Sequence, residues 1–264
     1  HAAHWPPGVP ATLDLPDETL WAAFERRARA EPDAAALDFL CRAFTWRALH
    51  TGALRLAAAL QGMGVQAGDR VLLFMQNSPA YVIGFHAVLR AGAVLVPVNP
   101  MNKADELGHY ISDAGAAVAI ASADIAPELL AAADRQAPNP VLRHLVAVDW
   151  ADVLPPPDEG DAPWPDAWRH WLRAPSPALQ TDTVALHRWA DLLAADAEPS
   201  PVAVGTSDLA LLPYTSGTTG AAKGCEHTHA TLLHNVVAAA PWLDMRAGDA
   251  VLVVTPMFHI TGLV

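Results

Sequence analysis

"RVLLFMQNSPAYVIGFHAVLRAGAVLVPVNP", Arg70 to Pro100, reads as strand, helix, strand. "RVLLFM" (Arg70–Met75) and "AVLVPV" (Ala93–Val98) are short, continuous apolar runs, the pattern of strands buried on both faces. Between them, Ser78 is placed to cap a helix, Pro79 suits its first turn and Gly92 suits its end. Two buried strands joined by one helix make a parallel βαβ unit with a right-handed crossover.

The same alternation continues downstream. "KADELGHYISDAG" predicts a helix, "AAVAIA" (Ala116–Ala121) a strand, "APELLAAADR" a helix and "HLVAVD" (His144–Asp149) a strand. Upstream, one helix is expected from about Thr19 to Ala30, stopped by Pro32. A second runs from about Thr45 to Met63, with Thr45 as its cap and Gly62 and Gly64 at its end. Trp150 to about Ala185 breaks the rhythm with prolines, acids and, after Trp150 itself, three tryptophans, and reads as a surface excursion. Trp168, Trp171 and Leu172 share helical spacing and are expected to tack it onto the domain, with a partner or lipid contact as the other reading. "ALHRWADLLAAD" then predicts a short helix. "LALLPY" predicts a strand, His229 to Ala240 a helix, and "AVLVVTP" (Ala250–Pro256) a strand. No internal repeat is present.

Composition narrows the class. The chain has 264 residues, 52% hydrophobic and 17% charged, enough for a sizeable core. A formal charge of -12 disfavours non-specific binding to nucleic acid or an anionic membrane. Two distant cysteines, Cys41 and Cys225, form neither a disulfide framework nor a CxxC pair, so reduced thiols and a cytoplasmic compartment are expected. No stretch approaches the ~18 consecutive apolar residues of a membrane span. The start, "HAAHWPPGVP", has no basic-then-apolar leader pattern and no initiating Met, so a processed or partial chain is expected.

"YTSGTTGAAKG" (Tyr214–Gly224) leaves a predicted buried strand and concentrates glycines, hydroxyls and one cation. Glycines allow positive φ, successive N–H groups can form an anion nest, and Lys223 adds a point charge. This is the chemistry of a phosphate loop. Gly217, Gly220 and Gly224 do not make GxGxxG. A Walker loop would need glycine at Ala222 and Ser or Thr at Gly224, which disfavours a P-loop kinase or ATPase. "HTH" (His227–His229) has no accompanying ligand cluster, so no metal site is read there. Cys225 is expected to be a small buried residue rather than a nucleophile.

The loop resembles the phosphate-loop signature of the adenylate-forming, or AMP-binding, superfamily, usually [ST]SGTTGxPKG. Three further stretches resemble that family in its own order. "FTWRALH" (Phe44–His50) resembles "tYxEL", "LRAGAVLVPVNP" (Leu89–Pro100) resembles "LKAGaayvPlnP", and "PMFHITG" (Pro256–Gly262) resembles the "PlFHxxG" of acyl-CoA synthetases. The family's proline before the lysine is Ala222 here, which should loosen the approach to Lys223 slightly.

The resemblance implies an α/β fold. It would have parallel βαβ sheets with flanking helices, forming the incomplete large N-terminal domain of an adenylate-forming enzyme. Residues 1–149 would form a first α/β subdomain and 150–185 the excursion. Residues 186–264 would begin a second α/β part, and the C-terminal domain would be absent. The implied reaction is ATP- and Mg2+-dependent attack of a carboxylate on the α-phosphate, then thioester formation with coenzyme A. A medium- or long-chain fatty acid is favoured and an aryl or other small acid is the competitor. A non-catalytic nucleotide-binding or interaction fragment is the rival reading. Thr215, Ser216, Gly217, Thr218, Thr219, Gly220 and Lys223 are the expected ATP-phosphate residues, and His259 the expected acyl and adenylate pocket residue. The adenine, ribose, magnesium and catalytic-lysine signatures are not found, so the chain is expected to be inactive alone. An uncovered apolar face or edge is expected to drive self-association, which light scattering reads.

Overall fold

The computed structural model describes residues 4–155, 164–215 and 220–263. In chain order its elements are α1 (Leu20–Ala30), β1 (Ala35–Phe39), β2 (Arg42–Thr45), α2 (Trp46–Gly62), β3 (Arg70–Phe74) and α3 (Pro79–Arg90). There follow β4 (Val94–Val98), α4 (Ala104–Ala114), β5 (Val118–Ser122), α5 (Ala126–Asp134), β6 (His144–Val148), α6 (Trp150–Val153) and α7 (Asp166–Leu172). The remainder are β7 (Ala185–Arg188), α8 (Trp189–Ala194), β8 (Leu209–Leu211), β9 (His227–Thr228), α9 (His229–Trp242) and α10 (Ile260–Leu263).

The βαβ unit forms for the reasons its sequence suggests. The Ser78 hydroxyl accepts the Tyr81 N–H at 3.2 Å, and Gly92 turns the chain at φ +75. A Cβ on Gly92 would stand 2.7 Å from Val202 Cγ1, so glycine also permits close approach of the later chain. Strands β3 and β4 pair in parallel, Arg70 opposite Val94 through Phe74 opposite Val98. One seven-stranded sheet results, ordered β7-β6-β5-β3-β4-β8-β9, parallel except for the antiparallel β8–β9 pair. Residues 186–264 thus contribute strands to this same sheet, and no second sheet of the expected kind begins among the described residues.

Alternate residues of β3 feed two cores. Val71 and Leu73 pack on one face with α1, α2 and α3, around Phe24, Leu56 and Tyr81. Leu72 and Phe74 pack on the other with α4 and α5, around Leu107, Ile111 and Leu129. Every residue of β4 and β5 is buried, as strands covered on both faces require.

One element was not expected, and three expectations change. Residues 35–45 form a hairpin whose two-residue turn, Leu40–Cys41, has φ of 50 and 69 at both positions. The start of the predicted helix at "ALHRWADLLAAD" is strand β7, because Ala185–Arg188 pairs in parallel with β6; only Trp189–Ala194 is helical. Ala250–Pro256 enters no ladder, and Val251, Leu252, Val253 and Val254 stand 62%, 85%, 49% and 75% exposed. In the excursion, Leu172 and Trp164 are the buried anchors with Leu154. Trp168 and Trp171 are exposed, the Trp171 ring tilted 57° to that of Trp150 with centroids 5.4 Å apart. No described helix is long and apolar enough to cross a membrane.

Buried and half-buried imidazoles should make the stability fall in acid. His229 is buried at the first turn of α9, and its Nδ1 accepts the Leu20 N–H at 3.2 Å. His144 and His187 meet nitrogen to nitrogen at 3.1 Å across β6 and β7. Burial lowers all three from the ordinary 6.5, and pushes His86 down to about 3. A folded-state pKa below the unfolded one adds stability that is complete above 6.5 and lost as pH falls below it. We therefore expect the melting temperature to fall with pH below that value. His229→Asn, whose Oδ1 still accepts but cannot protonate, should flatten part of the slope in a calorimetric pH series. An identical acid limb would remove His229 from this role.

Candidate active site

The glycine-rich loop leaves β8 and returns as β9. Its arms are tied together below the tip. Tyr214 bridges Gly224, the Thr215 N–H donates to the Lys223 carbonyl at 3.0 Å, and the Lys223 N–H donates to Thr215 Oγ1 at 3.1 Å. The Cys225 N–H closes the next rung on the Pro213 carbonyl at 2.8 Å. Gly224 is needed here because a Cβ would approach Leu212 side-chain carbons at 3.0 Å. Gly220 takes φ +153, a backbone that side-chain-bearing residues seldom adopt. Ser216, Gly217, Thr218 and Thr219 lie outside the described residues.

Helix α4 braces the loop from the side. The Tyr214 hydroxyl donates to Asp113 Oδ2 at 2.6 Å, and its ring lies 4.5 Å from Tyr110. Burial, then the Asp113 carboxylate, raises the Tyr214 pKa, so the phenol stays protonated. His109 Nε2 donates to the Ala222 carbonyl at 2.8 Å. The residue that replaces the family's usual proline is therefore held by a neighbouring helix rather than by ring stiffness.

Between the loop base, α4 and the turn before α10 lies a cavity of about 470 Å3. Thr215 and His259 both line it, with Asn99, Asn102, Glu106 and Tyr110 from the β4–α4 region. Asn102 is 7% exposed, and its Nδ2 has no hydrogen-bond partner among the described residues. An orphaned buried donor on a cavity wall suits an anionic oxygen. His259 Nδ1 accepts the Thr261 N–H at 3.2 Å, which leaves Nε2 unpartnered among the described residues. Gly220 and Lys223 are exposed and do not line the cavity. Among the described residues no carboxylate pairs with the Lys223 ammonium, so its charge is available to a ligand.

The three residues of "HTH" separate. His227 lines the cavity, Thr228 caps α9 and His229 is buried against α1. No group of three His, Cys, Asp or Glu able to hold a metal occurs among the described residues. Cys225, expected to be buried, is exposed and lines the cavity, because the short β9 arm lies at the sheet edge. Asn99, Asn102, Glu106, Tyr110, His109 and Asp113 were not expected here. They come from a segment about 100 residues earlier, and only the β4–β8 pairing brings them to the loop.

Known proteins share this arrangement at the level of sequence and fold. A long-chain-fatty-acid–CoA ligase from Bacillus subtilis is 31% identical over 266 residues, covering 99% of this chain and 46% of its own length. A feruloyl-CoA synthase from Amycolatopsis is 33% identical over 238 residues, covering 90% of this chain and 39% of its own. The chain thus spans less than half the length of these relatives. The crystal structure of the N-terminal domain of FACL13 from Mycobacterium tuberculosis superposes with TM-score 0.69 at 27% identity, over 93% of this chain and 53% of that one. A long-chain-fatty-acid–CoA ligase from Archaeoglobus fulgidus gives TM-score 0.73 at 21% identity over 98% of this chain and 47% of that one, a likeness of fold. The family profile for AMP-binding enzymes matches residues 24–264. With its braced hairpin loop, its parallel sheet and that match over nearly its whole length, this chain belongs to the AMP-binding enzyme family.

Proposed function

We propose that the protein joins a carboxylic acid to ATP as an acyl-adenylate and then transfers the acyl group to coenzyme A, with a medium- or long-chain fatty acid as substrate. A carboxylate oxygen bonds to the α-phosphorus as the bond to the β-phosphate bridging oxygen breaks, releasing pyrophosphate. The thiol sulfur then bonds to the acyl carbon, AMP leaves, and the thiol proton goes to solvent. The observation that carries this reading is the shared cavity of Thr215 and His259, with the orphaned Asn102 amide on its wall.

The chain's own part is to position and to neutralise charge. The Thr215 hydroxyl, its oxygen already accepting from Lys223 N–H, keeps its proton to donate to a phosphate. The Lys223 ammonium meets charge that grows on pyrophosphate. Ser216, Gly217, Thr218, Thr219 and Gly220 carry the same assignment from the family signature. His259 is assigned to the acyl side. Magnesium, when bound, neutralises the triphosphate. Among the described residues no group of three His, Cys, Asp or Glu is placed to hold it. The 264-residue chain is proposed not to turn over alone, since it spans 46% of a relative named for the whole activity.

The relative named a feruloyl-CoA synthase supports a second reading, an aryl acid in the same site. Carboxylate-dependent ATP–pyrophosphate exchange separates the two. The chain and the gene's full product would be assayed with acetate, benzoate, octanoate and palmitate. Exchange in the full product that peaks at octanoate or palmitate is the expected result. A peak at benzoate selects the aryl reading, and no exchange with any acid overturns both.

A further inference from the structure

The segment that carries His259 is held in an unusual way. Residues 250–256 precede it without a ladder partner, and four apolar side chains there are exposed. Yet the next residues are fixed. The Asn77 side chain spans the gap as a strand's peptide group would. Its Nδ2 donates to the Thr255 carbonyl at 2.9 Å, and its Oδ1 accepts the Met257 N–H at 2.7 Å. The Tyr81 hydroxyl donates to the Met257 carbonyl at 2.9 Å. Tyr81 is wholly buried in the core under α3 and has little freedom to follow a moving partner.

Beyond this latch the chain folds back at once. The His259 N–H donates to the Pro256 carbonyl at 3.1 Å, and the Gly262 N–H to the His259 carbonyl at 2.9 Å. A Cβ on Gly262 would stand 2.4 Å from the Pro256 oxygen, so the turn is closed as tightly as glycine allows. The imidazole therefore rides on a rigid turn whose attachments to the sheet include the Asn77 and Tyr81 side chains. Asn77 lies between β3 and α3 and Tyr81 in the first turn of α3, both more than 170 residues earlier in the chain.

We propose that Asn77 and Tyr81 are positioning residues for His259, setting its place on the wall of the carboxylate site. The role rests on the function proposed above; the latch itself does not. Two measurements keep them apart. In hydrogen–deuterium exchange of this chain, Asn77→Ala should speed exchange of the Met257 amide about tenfold, the size of one net hydrogen bond. Asn77→Asp keeps the acceptor for that amide but sets an oxygen against the Thr255 carbonyl. It should loosen residues 255–261 less than alanine does. Tyr81→Phe, which keeps the ring in the core, should loosen the same peptides and leave β3 protection unchanged.

In pyrophosphate exchange by the gene's full product, Asn77→Ala and Tyr81→Phe should each lower kcat/KM for the carboxylate about tenfold, the scale of a small misplacement at a reacting centre. KM for ATP should stay within about twofold. Unchanged Met257 protection in Asn77→Ala overturns the latch. Loosened peptides with unchanged carboxylate kinetics, or equal losses for ATP and carboxylate, overturn the positioning role. Loosened peptides in a protein with no exchange for any acid leave the latch standing and sink the function it was assigned to.

Discussion

Lys223→Ala in the gene's full product should lower carboxylate-dependent pyrophosphate exchange by about 100- to 1000-fold, the typical loss when one preorganised donor to a developing anion is removed. The reasoning starts from the backbone. Both peptide groups of Lys223 are committed to Thr215, the N–H to its hydroxyl and the carbonyl to its N–H. Those bonds survive truncation of the side chain, so the hairpin should keep its shape. The ammonium is exposed, with no carboxylate partner among the described residues, so folding gains little from it. Melting should shift by no more than an ordinary surface change, about 0.5 kcal/mol. Lys223→Arg should recover part of the rate, since charge returns without the compact geometry of an ammonium. Exchange within about threefold of the parent, against a loss of 100-fold expected from a missing donor, would take Lys223 out of the phosphate role.

Phe74→Ala should remove about 3–5 kcal/mol of stability, a large share of the ~5–15 kcal/mol that holds a domain folded. Phe74 is 0% exposed and fills the core under α4 and α5 with Leu72, Val96 and Leu107. It also ends β3, three residues before Asn77. Urea unfolding followed by tryptophan fluorescence would read the change in midpoint. Leu252→Ala makes the contrast. Leu252 is 85% exposed, and its truncation should move the midpoint by less than about 0.5 kcal/mol. Equal losses for the two would mean that Leu252 is packed in solution, and would contradict the unpaired course of residues 250–256.

The central sheet was legible because its punctuation is explicit. Ser78, Pro79 and Gly92 bracket α3, and Thr45 caps α2 by accepting the Ala48 N–H at 3.1 Å. The β1–β2 hairpin was not legible, because its turn uses Leu40 and Cys41 at positive φ where Asn and Gly would have announced it. Ala185–Arg188 reads as helix by composition and becomes strand only because β6 offers an edge. Ala250–Pro256 fails in the opposite sense. It has the apolar run of a strand and no described neighbour to pair with. At the site, the loop and His259 were visible as local signatures. Asn102, Tyr110 and Asp113 were not, since nothing in α4 marks it as the wall of a cavity closed by residues 213–260. Asn77 was silent for the same reason, being an ordinary polar residue before a helix cap until residue 257 arrives.

The bond from the Leu20 N–H to His229 Nδ1 spans 209 positions of sequence. During synthesis at about 5–20 residues per second, that separation amounts to roughly 10–40 seconds. Helix α1 thus leaves the ribosome before the other helices described, while its opening turn waits for a residue 209 positions later. His229 also follows directly on β9, the returning arm of the phosphate loop. Seating that arm and fixing the opening turn of α1 are therefore coupled. A nascent chain stalled before residue 229 can assemble the strands from β3 to β7, but it holds α1 without its partner.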